Sequence, residues 1–362
     1  MMRMPSLSFF TLGASLALTI ALAVNPAAAQ TKKVKLAYGV TVVDSSTAPW
    51  LSAAKTGGFW QEEGLDVEVT GFNGAGPALQ LLSRGQVDVV FTGTPEMFHM
   101  RGEGIPIKAI ANAYDKNHNY PVVPADSAIM TIKDFKGKRV GVQTMTGSIV
   151  MWMDTFLGAH GMTKKDLGEI IPVGTGATAV HALTSNQIDV LIEWHGHYAL
   201  LESQFGLKFR KFNNEPSLTN AAFVQDFFAR DETIKNDPKM LIGVLRGVAK
   251  GILFARTNPA AAARGHFDQF PSTKPTNLPL EEAVKKAGEV IEENVELSED
   301  SSKAQRWGYV EQAKIDRLRD LLADSGVIHK KLEWTEYYTP QFIDEVNKFD
   351  PAVVIAKAKS MK

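Results

Sequence analysis

A unit of seventeen residues occurs twice, one hundred positions apart, and it restricts the chain to a narrow class of folds. The first copy runs from Gly74-Ala75-Gly76-Pro77 to Asp88-Val89-Val90, and the second from Gly174-Thr175-Gly176-Ala177 to Ile188-Asp189-Val190. Each passes from a glycine-rich turn into a short helix, through Gly85-Gln86 or Asn186-Gln187, and into an apolar strand. Glycines let the backbone approach another group closely and open a helix whose first N–H groups are free. So long a period excludes a tandem solenoid and implies two similar α/β lobes. Gly, Ser and Thr recur in the loops that leave strands and enter helices. In open α/β sheets that edge receives ligands, and two facing lobes turn two edges into one cleft.

The rest of the chain fits this plan. Lys33–Tyr38, Leu65–Val69, Arg139–Gln143 and Asp189–Ile192 read as strands. Trp50–Lys55 reads as helix, Phe59–Glu63 as a turn, Ile132–Lys138 as a capped surface turn and Ile149–Ala159 as helix. Asp231–Ala255 is expected to be helical, with Pro238 in its first turn or dividing it. From Leu280 the pattern stays helical, broken at Trp334–Pro340 and resuming over Gln341–Phe349.

Arg3, an apolar run over Leu7–Val24 and Ala27-Ala28-Ala29 before Gln30 have the order of a secretory signal peptide. Residues 1–29 are therefore expected to be removed, leaving a periplasmic chain that starts at Gln30. The sequence has no cysteine, which excludes a lipidated cysteine, a thiolate metal site and disulfides. About 330 residues exceed what one core usually serves, in agreement with two lobes. Lys and Arg number 39 against 40 Asp and Glu, a balance that gives no reason to expect a nucleic-acid partner.

Taken with Gly85-Gln86-Val87-Asp88, Phe91-Thr92-Gly93-Thr94-Pro95, Ile132-Lys133-Asp134-Phe135-Lys136-Gly137-Lys138 and Thr257-Asn258-Pro259, the first glycine turn resembles one family. It is the group of ABC-importer substrate-binding proteins for nitrate, sulfonates, taurine and thiamine pyrimidine precursors. The resemblance implies a two-lobed, type II periplasmic-binding fold with a cleft between the lobes. One lobe would comprise 30–120 and 224–362, the other 121–223, with hinge crossovers near 120–127 and 216–223. It also implies a small-molecule ligand, permease and ATPase partners, a monomer, no catalysis and no cofactor. His195-Gly196-His197 stands where sulfonate binders show a different run after the tryptophan, so sulfonate specificity does not carry over. The cysteine-rich run of the pyrimidine-synthesising branch is missing as well.

The candidate ligand residues follow from these loops. The resemblance points to Ser45 and Ser46 in the loop before Trp50, to Gly76, to Thr94, to Thr146-Gly147-Ser148, and to the strand end before Tyr198. Thr146-Gly147-Ser148 and Gly76 open helices and can offer N–H donors, although Thr and Ser also cap helices everywhere. Trp50, Trp194 and Tyr198 can face a planar ring or can anchor their own cores. Glu193, His195 and His197 alternate, so on an extended segment they share a face. With no third convincing ligand, hydrogen bonding is favoured over metal binding, and Glu193 and His195 join the candidates. No arginine falls in these loops, which disfavours a doubly charged anion. A heterocycle, an aromatic acid or a sulfonate remains open.

Nucleophile elbow, P-loop and zinc-protease motifs are all missing from the sequence, and Leu79 occupies the third-glycine position of a dinucleotide fingerprint. Two other readings stay open: an enzyme on the same fold acting on a heterocycle, and a ligand sensor that reports to a receptor.

Overall fold

Strand β1 (Lys32–Tyr38) sets exposed lysines against buried Val34 and Leu36, and pairs in parallel with β2 (Leu65–Gly71). The computed structural model describes residues 1–2, 31–114, 117–214, 224–296 and 306–361. The expected targeting segment, 1–29, lies outside them from residue 3 onward. Helix α1 (Ala75–Ser83) opens at the first glycine turn, where Gly74 takes φ 107°, and leads to β3 (Val89–Gly93). Helix α2 (Thr94–Gly102) and β4 (Ile107–Asn112) follow.

The chain then enters a second sheet through β5 (Asn119–Pro124), β6 (Arg139–Val142) and helix α3 (Ser148–Ala159). Next come β7 (Glu169–Pro172), helix α4 (Ala177–Thr184) from the second glycine turn, and β8 (Val190–Trp194). Helix α5 (His195–Phe205) and β9 (Phe209–Lys211) complete this part. Strand β10 (Gln225–Arg230) returns to the first sheet. It is followed by α6 (Pro238–Thr257), α7 (Pro259–Gln269), α8 (Leu280–Val295), α9 (Gln312–Asp324) and α10 (Pro351–Ser360).

The first sheet has the order β2-β1-β3-β10-β4 and the second β7-β6-β8-β5-β9. In each, one antiparallel strand lies beside the strand of the repeated unit: β10 beside β3, and β5 beside β8. That strand is the first to arrive after the chain has crossed from the other sheet, so the two sheets share one plan. Separate apolar clusters support them, one built on Trp60, Phe91 and Leu245, the other on Phe135, Phe156 and Leu191.

Several local expectations change. Ser52, at φ −120°, splits the expected Trp50–Lys55 helix into single turns over Ala48–Leu51 and Ala53–Thr56. Phe59–Glu62 is a helical turn, and Trp334–Tyr337, inside the expected break, is another. Pro238 divides its region into Asp231–Asn236 and α6. Only Ile343–Val346 of the expected Gln341–Phe349 helix is helical, and α10, not foreseen, starts on Pro351 with the Asp350 carboxylate accepting from the Ala352 N–H. Of the expected first crossover, residues up to Pro124 lie in β5, and the second, 216–223, lies outside the described residues. No helix among the described residues is long and apolar enough to cross a membrane.

Candidate functional site

The two antiparallel pairings bring matching strand ends together. Gln225 of β10 lies opposite Gly93 at the end of β3, and Asn119 of β5 lies opposite Trp194 at the end of β8. All four border one cavity between the sheets, with about 550 Å³ of space between atoms including its mouth. Gly147 and Ser148, at the start of α3, and Gln143, just after β6, close it from the second sheet, and Tyr38 and Thr92 from the first.

Four of these lining residues carry a buried polar atom with no partner among the described residues: Gln143 Nε2, Ser148 Oγ, Glu193 Oε1 and Trp194 Nε1. Each such group costs about 1–3 kcal/mol when left unpaired, so their convergence marks where a polar molecule gains most. The set offers two N–H donors, a hydroxyl and one carboxylate oxygen. Among the described residues, no lysine or arginine lines the cavity.

Glu193 belongs to a buried charged row. Its Oε2 lies 2.9 Å from His197 Nδ1, and His197 Nε2 lies 2.9 Å from Asp44 Oδ2. Burial alone would depress the imidazole, but the Glu193 and Asp44 carboxylates outweigh it and hold the pKa up at about 10. Burial would likewise raise Asp44, yet His197 and the Ser46 hydroxyl keep it below its ordinary value. Burial, then the Asp44 and Glu193 charges, push the Tyr38 phenol well up, so it stays protonated.

These shifts predict a pH profile. An imidazole bound more tightly to its proton in the folded state contributes fully below about pH 6.5, and that stability is lost as pH rises through about 10. Asp44 acts in the opposite direction, its contribution being present above the ordinary carboxylate range and lost as pH falls through its lowered value. Urea melts should therefore show the wild type losing up to about 1.4 kcal/mol per pH unit between pH 7 and 10 relative to His197→Gln. Parallel profiles for the two proteins would disprove the assignment.

Of the twelve expected residues, Gly147, Ser148, Glu193 and Trp194 line this cavity. The other eight do not. Ser45 borders an outer groove, and Ser46 donates its backbone N–H (3.0 Å) and hydroxyl to Asp44 Oδ1. Trp50 is fully buried in the first core, 4.6 Å from the Tyr114 ring. Gly76 packs near the Glu96 carboxylate, and the Thr94 hydroxyl donates to buried Asp226. Thr146 donates its hydroxyl to the Asn73 carbonyl at 2.8 Å, which ties the two glycine-rich regions together.

Residues 195–198 are helical, not extended, and this re-sorts the expected polar face. A four-residue step aligns Glu193 with His197, while His195 turns to the Tyr120 hydroxyl (2.8 Å) and Glu293 (2.8 Å). Glu293 lies on α8, so this contact joins α5 to α8. Tyr198 is spent on the backbone, its hydroxyl donating to the Tyr120 carbonyl at 2.6 Å and accepting from the Glu193 N–H at 2.5 Å. Among the described residues no group of His, Asp and Glu is arranged to hold a metal.

Gln143, Asn119 and Gln225 were not among the expected ligand residues, and Asp44 was covered only as the first residue of the loop Asp44–Trp50. Gln143 ends the foreseen strand Arg139–Gln143, and the end of a strand was a usable signal. Asn119 and Gln225 begin strands whose neighbours only the sheet order reveals.

Paired five-stranded sheets, each taking one antiparallel strand from a chain crossing and meeting at a cavity on their ligand edges, define a two-lobed α/β fold of the periplasmic-binding-protein type. Solved structures share this fold. The alkanesulfonate-binding protein of Xanthomonas axonopodis pv. citri aligns with a TM-score of 0.62 at 16% identity, covering 85% of this chain and 98% of that one. The nitrate-binding protein of Synechocystis PCC 6803 aligns at 0.55 with 15% identity, over 92% and 99%.

The chain belongs to the NMT1/THI5 like family, whose profile matches residues 47–262. A Brucella abortus protein named as a binding protein is 22% identical over 329 residues, 90% of this chain and 97% of that protein. A Haemophilus influenzae protein named for thiamine biosynthesis is 28% identical over 162 residues, 43% of this chain and 50% of that protein. The match therefore spans half the length of that relative. A 4-amino-5-hydroxymethyl-2-methylpyrimidine phosphate synthase of Uromyces fabae is 25% identical over 242 residues, 63% and 67%.

Proposed function

We propose that this chain is the exported solute-binding component of an ABC importer, closing over one small molecule and presenting it to a permease and its ATPase. The observation that carries the reading is the set of four unpartnered polar groups converging on one interlobe cavity. In this reading the mature chain starts at Gln30 and works as a periplasmic monomer. Its lobes divide as 30–120 with 224–362, and 121–223. The cavity binds and does not transform its guest.

The lining also narrows the guest. A carboxylate oxygen without a cation nearby in the lining disfavours an anion, although proteins of the same fold are named for sulfonate and nitrate. Trp194 supplies an aromatic wall, and Glu193 asks for a donor while Gln143 and Trp194 ask for acceptors. A small, uncharged or cationic nitrogen heterocycle satisfies all three, and an aminopyrimidine is the natural first probe.

A thermal-shift panel of aminopyrimidines, aromatic carboxylates, alkanesulfonates and nitrate tests this. An aminopyrimidine is expected to stabilise the protein, by about 2.7 kcal/mol at a hundredfold excess over Kd, and the anions are not. Stabilisation by sulfonate or nitrate alone would overturn the ligand class. The synthase named among the relatives keeps an enzyme reading in view. Mass spectrometry of the incubated aminopyrimidine separates the two, since a binding protein returns it unchanged.

A further inference from the structure

Glu193 faces two ways. The residue lines the cavity, its buried Oε1 has no partner among the described residues, and its Oε2 meets His197. Behind that contact, His197 and Asp44 border a second groove on the far side of the row. Asp44 belongs to the loop after β1, whereas Glu193 and His197 belong to β8 and α5. The row therefore crosses from the part of the chain around the first sheet to the part around the second.

We propose that Asp44–His197–Glu193 is a latch, in which Asp44, lying outside the cavity, holds the lobes together through His197 and thereby aims the free Glu193 oxygen at the guest. Asp44 is a positioning residue in this scheme. The inference rests on the solute-binding reading for the role of the cavity, but the latch itself needs no solute.

The geometry suits a reversible contact. Ser46 donates its backbone N–H and hydroxyl to Asp44 Oδ1, and the Thr47 hydroxyl donates to the Asp44 carbonyl at 2.7 Å, so the carboxylate is aimed before the lobes meet. Little side-chain freedom is then lost on contact. Burying Asp44 is offset by one charge-assisted bond to a cation that already has Glu193 on its other nitrogen. The net gain is small, as a contact that must reopen requires.

Apart from Lys274 of the outer groove, the other described groups around the row supply no competing charge. The Tyr38 phenol stays protonated, and the Tyr198 hydroxyl is held by backbone. His266, which also faces Asp44, is kept at about 4 by burial and is neutral at pH 7. On α8, Glu293 is taken up by His195. Lys274 borders the outer groove.

The sequence has no cysteine, so Glu103→Cys and Lys165→Cys place the only two thiols on exposed sites of the two parts. Spin labels there report interlobe distance in the chain from Gln30 onward, at pH 7 and without solute. The wild type is expected to show a populated short distance, and Asp44→Asn to lower that population about fivefold or more. In parallel, nitrogen NMR of His197 is expected to show a lowered titration midpoint in the variant.

Ser46→Ala leaves the buried charges in place and is expected to shift the distances the same way by less. It keeps the test open if Asp44→Asn does not fold. A wild type confined to the long distance, or a distance distribution unchanged by both variants, would overturn the latch. No solute enters this experiment. A panel in which nothing binds would sink the functional reading and leave the latch standing, and an unmoved distance would do the reverse.

Discussion

Replacing Gly93 by alanine is expected to weaken solute binding about 5- to 150-fold while leaving the urea midpoint near that of the wild type. A Cβ at Gly93 would lie 2.2 Å from Ser148 Oγ and 2.4 Å from Ser148 Cβ. Gly93 ends β3 in the first sheet, and Ser148 opens α3 beside the second, so this clash exists only where the lobes meet. The Gly93 backbone, at φ −67° and ψ 146°, accepts alanine without strain. Overpacking of this kind costs about 1–3 kcal/mol. Falling on the closed state alone, that cost appears as lost affinity. Adding Ser148→Gly should recover part of the loss, because it removes both atoms in the way. Calorimetry with an aminopyrimidine that shifts the melt is the measurement, and undiminished affinity in Gly93→Ala would show that solute binds without this approach.

Trp194→Ala is expected to lower both stability and affinity, by about 3–5 kcal/mol in the urea melt and by a further loss in the titration. The indole serves both purposes. It lines the cavity, and it packs in the first core with its ring 6.4 Å from Tyr114, 5.7 Å from His118 and 5.3 Å from His197. Gly196 leaves room for it, since a Cβ there would stand 2.3 Å from the ring. Trp194→Phe separates the roles. It keeps an aromatic ring in the core but removes the unpartnered Nε1 donor with part of the indole, so the melt should fall by less than in Trp194→Ala while affinity falls about tenfold, the size of one hydrogen bond. A melt that falls as far as in Trp194→Ala, with affinity unchanged, would confine Trp194 to the core.

The repeated glycine turns at Gly74 and Gly174 carry most of what can be read without coordinates. Hydrophobic period and turn chemistry are local, and they locate β3, α1, β8 and α4 and the ligand edge of each sheet. Gly147 and Ser148 come after β6 and Glu193 and Trp194 end β8, two parallel strands, so all four sit on that edge. Asn119 and Gln225 reach the same cavity from the beginnings of antiparallel strands, and which strand a segment will pair with is a long-range fact. The row from Asp44 to Glu193 was hidden by a conformational choice. Read as extended, residues 193–197 put both histidines on one face, whereas a helix starting at His195 sends them to different partners. Trp50 went to the core for a similar reason, its helical turn packing inward against Tyr114.

The proposed function requires that one small molecule be held in the cavity and released unchanged. Calorimetric titration of the chain from Gln30 onward with the aminopyrimidine that shifts the melt tests it most directly, with the double variant Gln143→Leu and Glu193→Gln alongside. One molecule is expected to bind per chain in the wild type and to be recovered intact after denaturation, with binding at least about a hundredfold weaker in the variant, which loses two of the four converging groups. Equal affinity in the two proteins, or recovery of a chemically altered molecule, would contradict it.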